Sequence, residues 1–483
     1  MKNLFSAILF VFLIFECEAQ QLSKREFLSD FDCFQSIYEK ANAGLYKYHT
    51  KQEIDSVFSA NRKQINQQTS YREFYNLVWN VIDFTGSCHN DLSYPDSLKK
   101  ELHKQETFFP IPLKFLHNKL YTNLQHETIP TGSEILSING TDALKFATEV
   151  ARYTSTDGHN LTGKYVFLET GSLFFYIYLA YGEQDSLTIR FKDKEGIKEA
   201  RLKSLDYKSA LENYKRRFIP EYEKNKTADY SFNYIDNSQT GLLTVNTFGL
   251  GGPKSEGHKN YAAFLDSVFN DLQNKNVQNL IVDIRENGGG NDPNDLLLYS
   301  YLTKRNFREN RVAFTLFNTI PLKKYYVEEE KGEIKDLEKE LKEEHSVLRN
   351  KRYYQNEQFN PVWIPKPNAY SGKIYLLVSP FVASAGSLFA SMVKSDEESI
   401  VIGQETLGGY YGHTGHIPVT YRLSKTGLLL TFSIVDLEQD VQKLSDQKDG
   451  DGVKPDYNVE QSIEEYFQSS DTVLEFAKKM IGH

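Results

Sequence analysis

A serine in a strand-to-helix turn has the surroundings that a nucleophile needs. Ser384 lies in Pro380–Leu388, which follows the apolar run Ile374–Ser379 and precedes a helical pattern over Leu388–Lys394. A turn of small residues that opens a helix places a hydroxyl beside free backbone N–H groups at the positive end of the helix dipole. That placement suits a nucleophile and its oxyanion hole. A serine that only caps the helix is the alternative, and the segment by itself favours the cap.

A run of glycines is a second feature suited to binding an oxygen atom. Gly288, Gly289 and Gly290 follow Val277–Ile284, whose apolar core is typical of a buried parallel strand. Glycines let backbone N–H groups approach a ligand closely. A dinucleotide-binding loop is the competing interpretation, but the run lacks the Gly-x-Gly-x-x-Gly spacing, and no Gly-Lys-Ser/Thr is present for phosphate.

Two histidines in one short segment are candidate metal ligands. His413 and His416 lie in Gly-His-Thr-Gly-His and would need a carboxylate to complete a site. Because the sequence shows no third ligand, ordinary histidines on a strand are the favoured interpretation. We therefore predict no metal and no cofactor.

The first residues have the charge order of a secretory signal. Lys2 precedes the apolar run Leu4–Phe15, and Ala19 offers a cleavage site, which predicts a signal peptide over residues 1–19. We expect export to the periplasm or the extracellular space. The run is short for a bilayer span, and no later stretch is apolar enough for a membrane helix. The residues before Cys17 disfavour lipid anchoring.

The totals favour several domains and disfavour one class of partner. The chain has 483 residues, enough for roughly two to four domains. Its 56 basic and 65 acidic residues are interspersed and give a net charge of −9, which argues against a nucleic-acid partner. Cys33 and Cys88 could pair in an oxidising compartment, but two cysteines do not make a disulfide framework.

The elements that must position these residues begin with helices. Residues 20–103 show apolar side chains at helical spacing, with capping boxes starting at Thr50 and Ser70. Residues 104–205 change to short strands separated by turns, which predicts a small β-rich module. Residues 206–483 alternate strands and helices, which predicts an α/β sheet.

A charged insert interrupts the last region at residues 324–356. Its segment 328–348 is predicted to be an amphipathic surface helix. The residues that define the apolar face are Ile334, Leu337, Leu341 and Leu348.

Several motifs together resemble peptidase family S41, the group of tail-specific proteases, tricorn-core proteases and their relatives. The segments that carry the resemblance are Asp283–Gly290, Ser384–Phe389, Val401–Gly409, Gly132–Gly140 and Asp451–Asp456. The resemblance implies a multidomain α/β protein with a ClpP/crotonase-like serine protease core over residues 206–483. It also implies a PDZ-like module over residues 104–205.

The resemblance also directs the search for a general base. The tail-specific branch uses a lysine, but the matching position here is Gly409, and no lysine occurs between Glu397 and Lys425. The tricorn-like branch takes a histidine from an N-terminal segment that Gly86–Asp91 resembles, which implies His89. A neutral imidazole can accept the Ser384 proton at neutral pH.

The remaining site residues also follow from the resemblance. A histidine base needs an orienting carboxylate, for which Asp449 is the first candidate and Asp451 the second. The backbone N–H of Ala385 is the first expected oxyanion donor, and Gly288 or Gly289 is expected to supply the second.

The implied function is that of an exported serine peptidase that hydrolyses extended or C-terminal segments of a polypeptide substrate. The PDZ-like module is expected to hold the polypeptide as an added strand. Because the lysine is missing and Cys88 and Asn90 depart from the histidine motif, a catalytically inactive peptide-binding relative is the alternative. An esterase is a third possibility, and the sequence does not predict the oligomeric state.

Overall fold

The computed structural model describes residues 22–224, 228–235, 239–396 and 398–482. The predicted signal peptide, residues 1–19, lies outside them. Within the described residues, three six-stranded sheets and the surrounding helices make a multidomain α/β fold. No helix of this part of the chain combines the length and the apolarity that crossing a bilayer requires.

The helices and strands are numbered along the chain. The α-helices are α1 Lys24–Ala41, α2 Lys51–Gln64, α3 Tyr71–Thr85, α4 Asp96–Leu102, α5 Ala143–Ala151, α6 Thr162–Val166, α7 Ser172–Tyr181, α8 Tyr207–Lys215, α9 Glu221–Lys224, α10 Glu256–Asn274, α11 Asn294–Ser300, α12 Glu333–Glu344, α13 Ala385–Lys394, α14 Ile463–Phe467 and α15 Thr472–Ile481. The strands are β1 Asp91–Ser93, β2 Leu113–Leu116, β3 Lys119–Thr122, β4 Glu134–Ile138, β5 Thr141–Asp142, β6 Ser186–Asp193, β7 Gly196–Lys203, β8 Tyr230–Ile235, β9 Thr240–Val245, β10 Asn279–Asp283, β11 Asn310–Thr315, β12 Val347–Arg349, β13 Arg352–Tyr354, β14 Lys373–Val378, β15 Ser399–Gly403, β16 Thr414–Arg422, β17 Leu429–Gln439 and β18 Tyr457–Asn458.

Three N-terminal helices form the first unit, and both predicted capping boxes are confirmed. Thr50 and Ser70 each accept a hydrogen bond from the backbone N–H three residues later, and that glutamate bonds back to the cap. The apolar faces of α1 and α3 are buried. The chain then enters β1, which pairs with β17 in an antiparallel sheet of order β1-β17-β11-β13-β12, with β16 also on β17. The loop before β1 reaches the start of β16, where Ser87 Oγ donates to the Thr414 carbonyl at 3.4 Å.

The second sheet lies where the sequence predicts a β-rich module. Its order is β2-β3-β4-β6-β7, with β5 on β4, and the pairs are antiparallel. The PDZ-like character of this unit stays a prediction.

The third sheet carries the serine and the glycine run. Its order is β18-β15-β14-β10-β9-β8, and all pairs are parallel except β8 with β9. Asp283 at the end of β10 is in register with Leu377 near the end of β14. Because neighbouring parallel strands end at the same edge, the turns that follow β10 and β14 lie side by side.

The charged insert is shorter as a helix than the sequence suggests. Helix α12 ends at Glu344, and the next residues turn into β12, which pairs with β13 as a hairpin. Leu341 is buried on the helix, as its spacing predicts, but Leu348 lies in β12 and is 60% exposed. The prediction that Leu348 belongs to the apolar face of a helix is therefore wrong, since backbone pairing with Tyr353 outweighs the continuing helical spacing.

Candidate active site

Ser384 occupies a strained turn at the start of α13. Its backbone has φ 52° and ψ −131°, a left-handed conformation that non-glycine residues rarely adopt. Such strain costs on the order of 1–3 kcal/mol and persists where the surrounding structure imposes it. The hydroxyl makes no capping hydrogen bond to the helix. Instead, Ser384 Oγ lies 3.1 Å from His89 Nε2.

The turn after β10 packs directly against this serine. Gly289 has φ +107°, and a Cβ added there would lie 2.7 Å from the Cβ of Ser384. A Cβ on Gly386 would lie 2.4 Å from the carbonyl oxygen of Asn287. Only glycine fits these two contacts, so the glycines bring the two turns into van der Waals contact.

Two backbone N–H groups in the turns that meet at Ser384 have no acceptor within the described part of the chain. They are the N–H groups of Ala385 and Gly288. The N–H of Gly289 donates to Asn287 Oδ1 at 2.9 Å, and the Asn287 amide is held in turn by the carbonyl of Val245. Of the two predicted glycine donors, Gly288 is therefore the one whose N–H is available.

His89 stands in a short loop between α3 and β1. Gly86 ends α3 with φ 67°, and its carbonyl accepts a hydrogen bond from the Gly158 N–H at 2.9 Å. The Asn90 side chain donates to Thr85 Oγ1 at 2.9 Å, which closes the loop. His89 Nδ1 lies 3.4 Å from the sulfur of Cys88. Cys88 and Cys33 are both free thiols, so they do not form a disulfide.

The carboxylate that the structure places at the histidine belongs to Asp157. It is completely buried, and it accepts hydrogen bonds from the N–H groups of Cys88 and Gly409, each at 2.9 Å. A carboxylate oxygen of Asp157, a ring nitrogen of His89 and the sulfur of Cys88 lie within 4.8 Å of one another. These three side chains could hold a metal ion by type.

Burial and Asp157 act in opposite directions on the histidine. Burial lowers the pKa of His89 below its usual value, because a charged imidazolium would lose its hydration. The negative charge of Asp157 raises the same pKa, while His416 lowers it. The net pKa is lowered, so the imidazole is neutral and able to accept a proton at neutral pH.

The two acids predicted from the sequence lie elsewhere. Asp449 is exposed, and it has no hydrogen bond or ion pair with another described residue. Asp451 pairs with Lys454 and accepts the Lys448 N–H at 3.1 Å. The structure therefore does not bring either carboxylate to His89.

Gly409, which stands where the tail-specific pattern has a lysine, helps to hold Asp157 in place. Gly409 gives its N–H to Asp157, and a Cβ there would lie 2.9 Å from the carbonyl oxygen of Gly412. A lysine side chain would meet this carbonyl at its first carbon. Asp157 was missed in the sequence because an Asp-Gly pair between helices is a common turn signal.

The two histidines at the start of β16, His413 just before the strand and His416 within it, have different surroundings. His413 is buried with its ring centroid 4.8 Å from that of His89, and burial lowers its pKa well below the usual value. His416 lies between Asp292 and Glu309, and its Nδ1 and Nε2 are 3.3 Å and 3.1 Å from their respective carboxylates. The third ligand type that the sequence did not reveal is thus present at His416.

A family comparison matches the part of the chain that carries the serine. Residues 239–459 match the model of peptidase family S41. This segment, 221 of the 483 residues, is a serine-type peptidase region of that family, and it includes Ser384 and the glycine turn.

Solved structures agree with the family assignment at the level of fold. Mature CPAF complexed with lactacystin has a TM-score of 0.59 at 13% identity, covering 95% of this chain and 97% of that one. Another structure of mature CPAF has a TM-score of 0.58 at 14% identity, covering 95% and 96%. At these identities the likeness concerns the fold alone. The search of curated proteins gave no match.

Proposed function

We propose that this S41 peptidase is exported and hydrolyses peptide bonds in extended or C-terminal segments of polypeptides, with Ser384 as nucleophile and His89 as general base. The observation that carries the proposal is the 3.1 Å contact between Ser384 Oγ and His89 Nε2. It lies within the heavy-atom distance over which a general base accepts a proton. The strained backbone of Ser384, which makes no helix cap, supports the same role.

The proposed reaction follows from these positions. His89 Nε2 accepts the hydroxyl proton as Ser384 Oγ forms a bond to the carbonyl carbon of the substrate. The negative charge that develops on the carbonyl oxygen is stabilised by the N–H groups of Ala385 and Gly288. His89 then returns the proton to the leaving amine, and water hydrolyses the acyl-enzyme by the same steps.

Asp157 is the carboxylate that we assign to the histidine in place of Asp449 and Asp451. It makes no hydrogen bond to the imidazole, and its oxygens accept the N–H groups of Cys88 and Gly409. It favours the imidazolium through its charge, as its effect on the pKa of His89 indicates. It also ties the His89 loop to the segment that follows β15.

A cleft lined in part by the residues that precede the two turns of the site offers a path for the polypeptide. Phe115, Tyr165 and Phe381 line it, and the rings of Phe115 and Tyr165 stack at 4.4 Å. Phe381 is 38% exposed and lies three residues before Ser384 in the chain. Strand addition to the edge strand β2 would have to displace Glu169, which accepts the Phe115 N–H at 3.0 Å. We therefore assign recognition in this cleft mainly to side chains.

Labelling by a fluorophosphonate probe tests the nucleophile and the base. Wild type is expected to react, Ser384→Ala to be inert, and His89→Ala to react at least a hundredfold more slowly. Ser391→Ala is the matched control, because Ser391 lies on the same helix and bonds only to the Leu388 carbonyl. A wild-type protein that binds peptides but does not react would show the inactive peptide-binding relative instead.

Export is tested separately. If residues 1–19 are a cleaved signal, the mature protein recovered from the periplasm or medium begins at Gln20. Recovery of the intact N-terminus from the cytoplasm would contradict this part of the proposal.

A further inference from the structure

A second group of side chains beside the active site has the composition of a metal site. An oxygen of Asp292, an oxygen of Glu309 and a ring nitrogen of His416 lie within 4.8 Å of one another. The His416 side chain is 27% exposed and that of Asp292 is 40% exposed, so an ion could enter from solvent. One imidazole with two carboxylates is a ligand set that zinc accepts, with water completing a tetrahedron.

The backbone turns His416 toward these acids. His416 and Ile417 have φ values of 56° and 47°, and the pairing of β16 with β17 shifts register between Gly415 and Pro418. Such a bulge redirects a side chain that would otherwise alternate along the strand. Asp292 follows the glycine turn by two residues, and Glu309 immediately precedes β11. Three separate segments therefore converge on this group.

A buried aspartate beside the group gives independent support. Asp295 is completely buried, and neither of its carboxylate oxygens has a hydrogen-bond partner. It lies on α11, three residues after Asp292. A buried carboxylate without a side-chain partner is costly to the fold.

A simple ion pair with His416 does not satisfy this group. His416 Nε2 is 3.1 Å from Glu309 Oε1, yet that oxygen is buried without an aligned hydrogen bond. Among the described residues, no lysine or arginine pairs with Asp292, Asp295 or Glu309. His416 thus lies between the two carboxylates of Asp292 and Glu309, and burying unmatched charge is costly.

The neighbouring arginines do not supply the missing positive charge. Arg308 donates to the Asn360 carbonyl, whereas Arg305 and Arg311 both pair with Asp440. A divalent cation would supply the charge and accept the free oxygen lone pairs.

We propose that Asp292, Glu309 and His416 bind one divalent transition-metal ion, with Zn²⁺ as the preferred species. The imidazole nitrogen selects against Ca²⁺ and Mg²⁺, which take oxygen ligands. The ion would join the continuation of the glycine turn to β16. The inference does not depend on the peptidase mechanism, because the ligands lie outside the proposed catalytic residues.

The test is a zinc titration of the full protein without a polyhistidine tag. The protein is stripped with EDTA, desalted and titrated with Zn²⁺ against a fluorescent chelator, while thermal unfolding is followed in parallel. We expect one equivalent of saturable binding and a higher unfolding temperature with Zn²⁺. His416→Ala and Glu309→Gln should each weaken zinc binding at least tenfold. If His416→Ala fails to fold, Glu309→Gln still tests the site, because glutamine occupies the same volume as glutamate.

Two further variants decide where the ion binds. His117→Ala is the matched control, because His117 forms a surface pair with a single carboxylate, Glu460, at 3.0 Å. His89→Ala removes the other possible group, Cys88 with His89 and Asp157. Both should retain wild-type zinc affinity. Loss of binding in His89→Ala but not in His416→Ala would overturn the proposal, as would the absence of saturable zinc binding to wild type.

Discussion

Asp157 holds two backbone segments together while its charge acts on His89, so a substitution can separate the two roles. Both of its oxygens accept backbone N–H groups. Its interaction with His89 is electrostatic, without a hydrogen bond. A triad aspartate that bonds directly to the imidazole also fixes its tautomer. Here the charge remains but the direct bond is absent, so the effect of removing the charge should be smaller than in a bonded triad.

Asp157→Asn should lower kcat by about 10- to 100-fold, equivalent to about 1–3 kcal/mol of transition-state stabilisation. The substitution removes the charge that favours the imidazolium and leaves one N–H facing an amide donor. Asp449→Asn should leave kcat within twofold, because Asp449 is exposed. Steady-state kinetics on a peptide substrate measure both variants. A larger loss in Asp449→Asn than in Asp157→Asn would favour Asp449, the acid predicted from the sequence, as the partner of His89.

The pH dependence of activity should reflect the lowered pKa of His89. The imidazole must be neutral to accept a proton, so activity falls as pH falls through its pKa. Burial lowers this pKa below its usual value near 6.5. The value of kcat/KM at pH 6.5 should therefore stay close to the value at neutral pH, and the main decline should come at lower pH. In Asp157→Asn the decline should move to still lower pH, since a pKa-raising charge is gone. An acid limb above pH 6.5, measured with EDTA present, would contradict this.

The sequence was informative about some site residues because their signals are local. The strand-to-helix turn predicts the location of Ser384, and the glycine run marks the neighbouring turn. Asp157 and the carboxylates around His416 are brought in by tertiary contacts between distant segments. No local spacing encodes such contacts. For this reason the sequence favoured Asp449 over Asp157 and gave no carboxylate partner for His416.

Parallel pairing explains why two separate motifs form one site. β10 and β14 are neighbours in register, so the turns after them meet at one edge of the sheet. The apolar runs predict both strands, but the adjacency that brings the two turns together is seen only in the folded sheet. The length of α12 was not predictable in the same way, because the hairpin of β12 and β13 competes with the helix only in the folded chain.

The cleft provides a prediction about the element that precedes Ser384. Phe381→Ala should raise KM for peptide substrates about tenfold with kcat nearly unchanged, since it removes apolar surface that a bound polypeptide would cover. Hydrolysis of a small activated ester, which does not extend along the cleft, should be unaffected.

Phe359→Ala is the control for this measurement. Phe359 is similarly exposed, at 40%, but it lies outside the cleft lining. An equal change of KM in both variants would show that the cleft lined by Phe381 is not the path of the polypeptide.

At the scale of the whole molecule, the two proposed catalytic residues lie on different units. His89 is carried by the N-terminal helices, whereas Ser384 belongs to the parallel sheet, 295 residues later. The N-terminal unit is held in place by β1 on β17 and by packing such as Tyr38 against Phe432, whose rings are 5.1 Å apart. Catalysis should therefore depend on this docking as well as on the residues themselves.

Asp30 offers a specific test of the docking. It is completely buried on α1 and accepts hydrogen bonds from the Lys425 N–H and from the N–H and hydroxyl of Thr426. Asp30→Ala leaves these donors without an acceptor, so the free energy of unfolding should fall by about 3 kcal/mol. Activity should be lost at a lower temperature than in wild type, because His89 moves away from Ser384 when the helices loosen.

The control lies on the same helix. Asp32 forms an exposed pair with Arg62, with side chains 52% and 44% exposed, and such surface pairs contribute little to stability. Asp32→Ala should therefore unfold and lose activity at the wild-type temperature, measured by circular dichroism and by peptide hydrolysis. If Asp30→Ala also behaves like wild type, the contact between α1 and the turn before β17 does not hold the histidine in place. The packing of α1 and α3 against β17 would then be the contact that maintains the distance between His89 and Ser384.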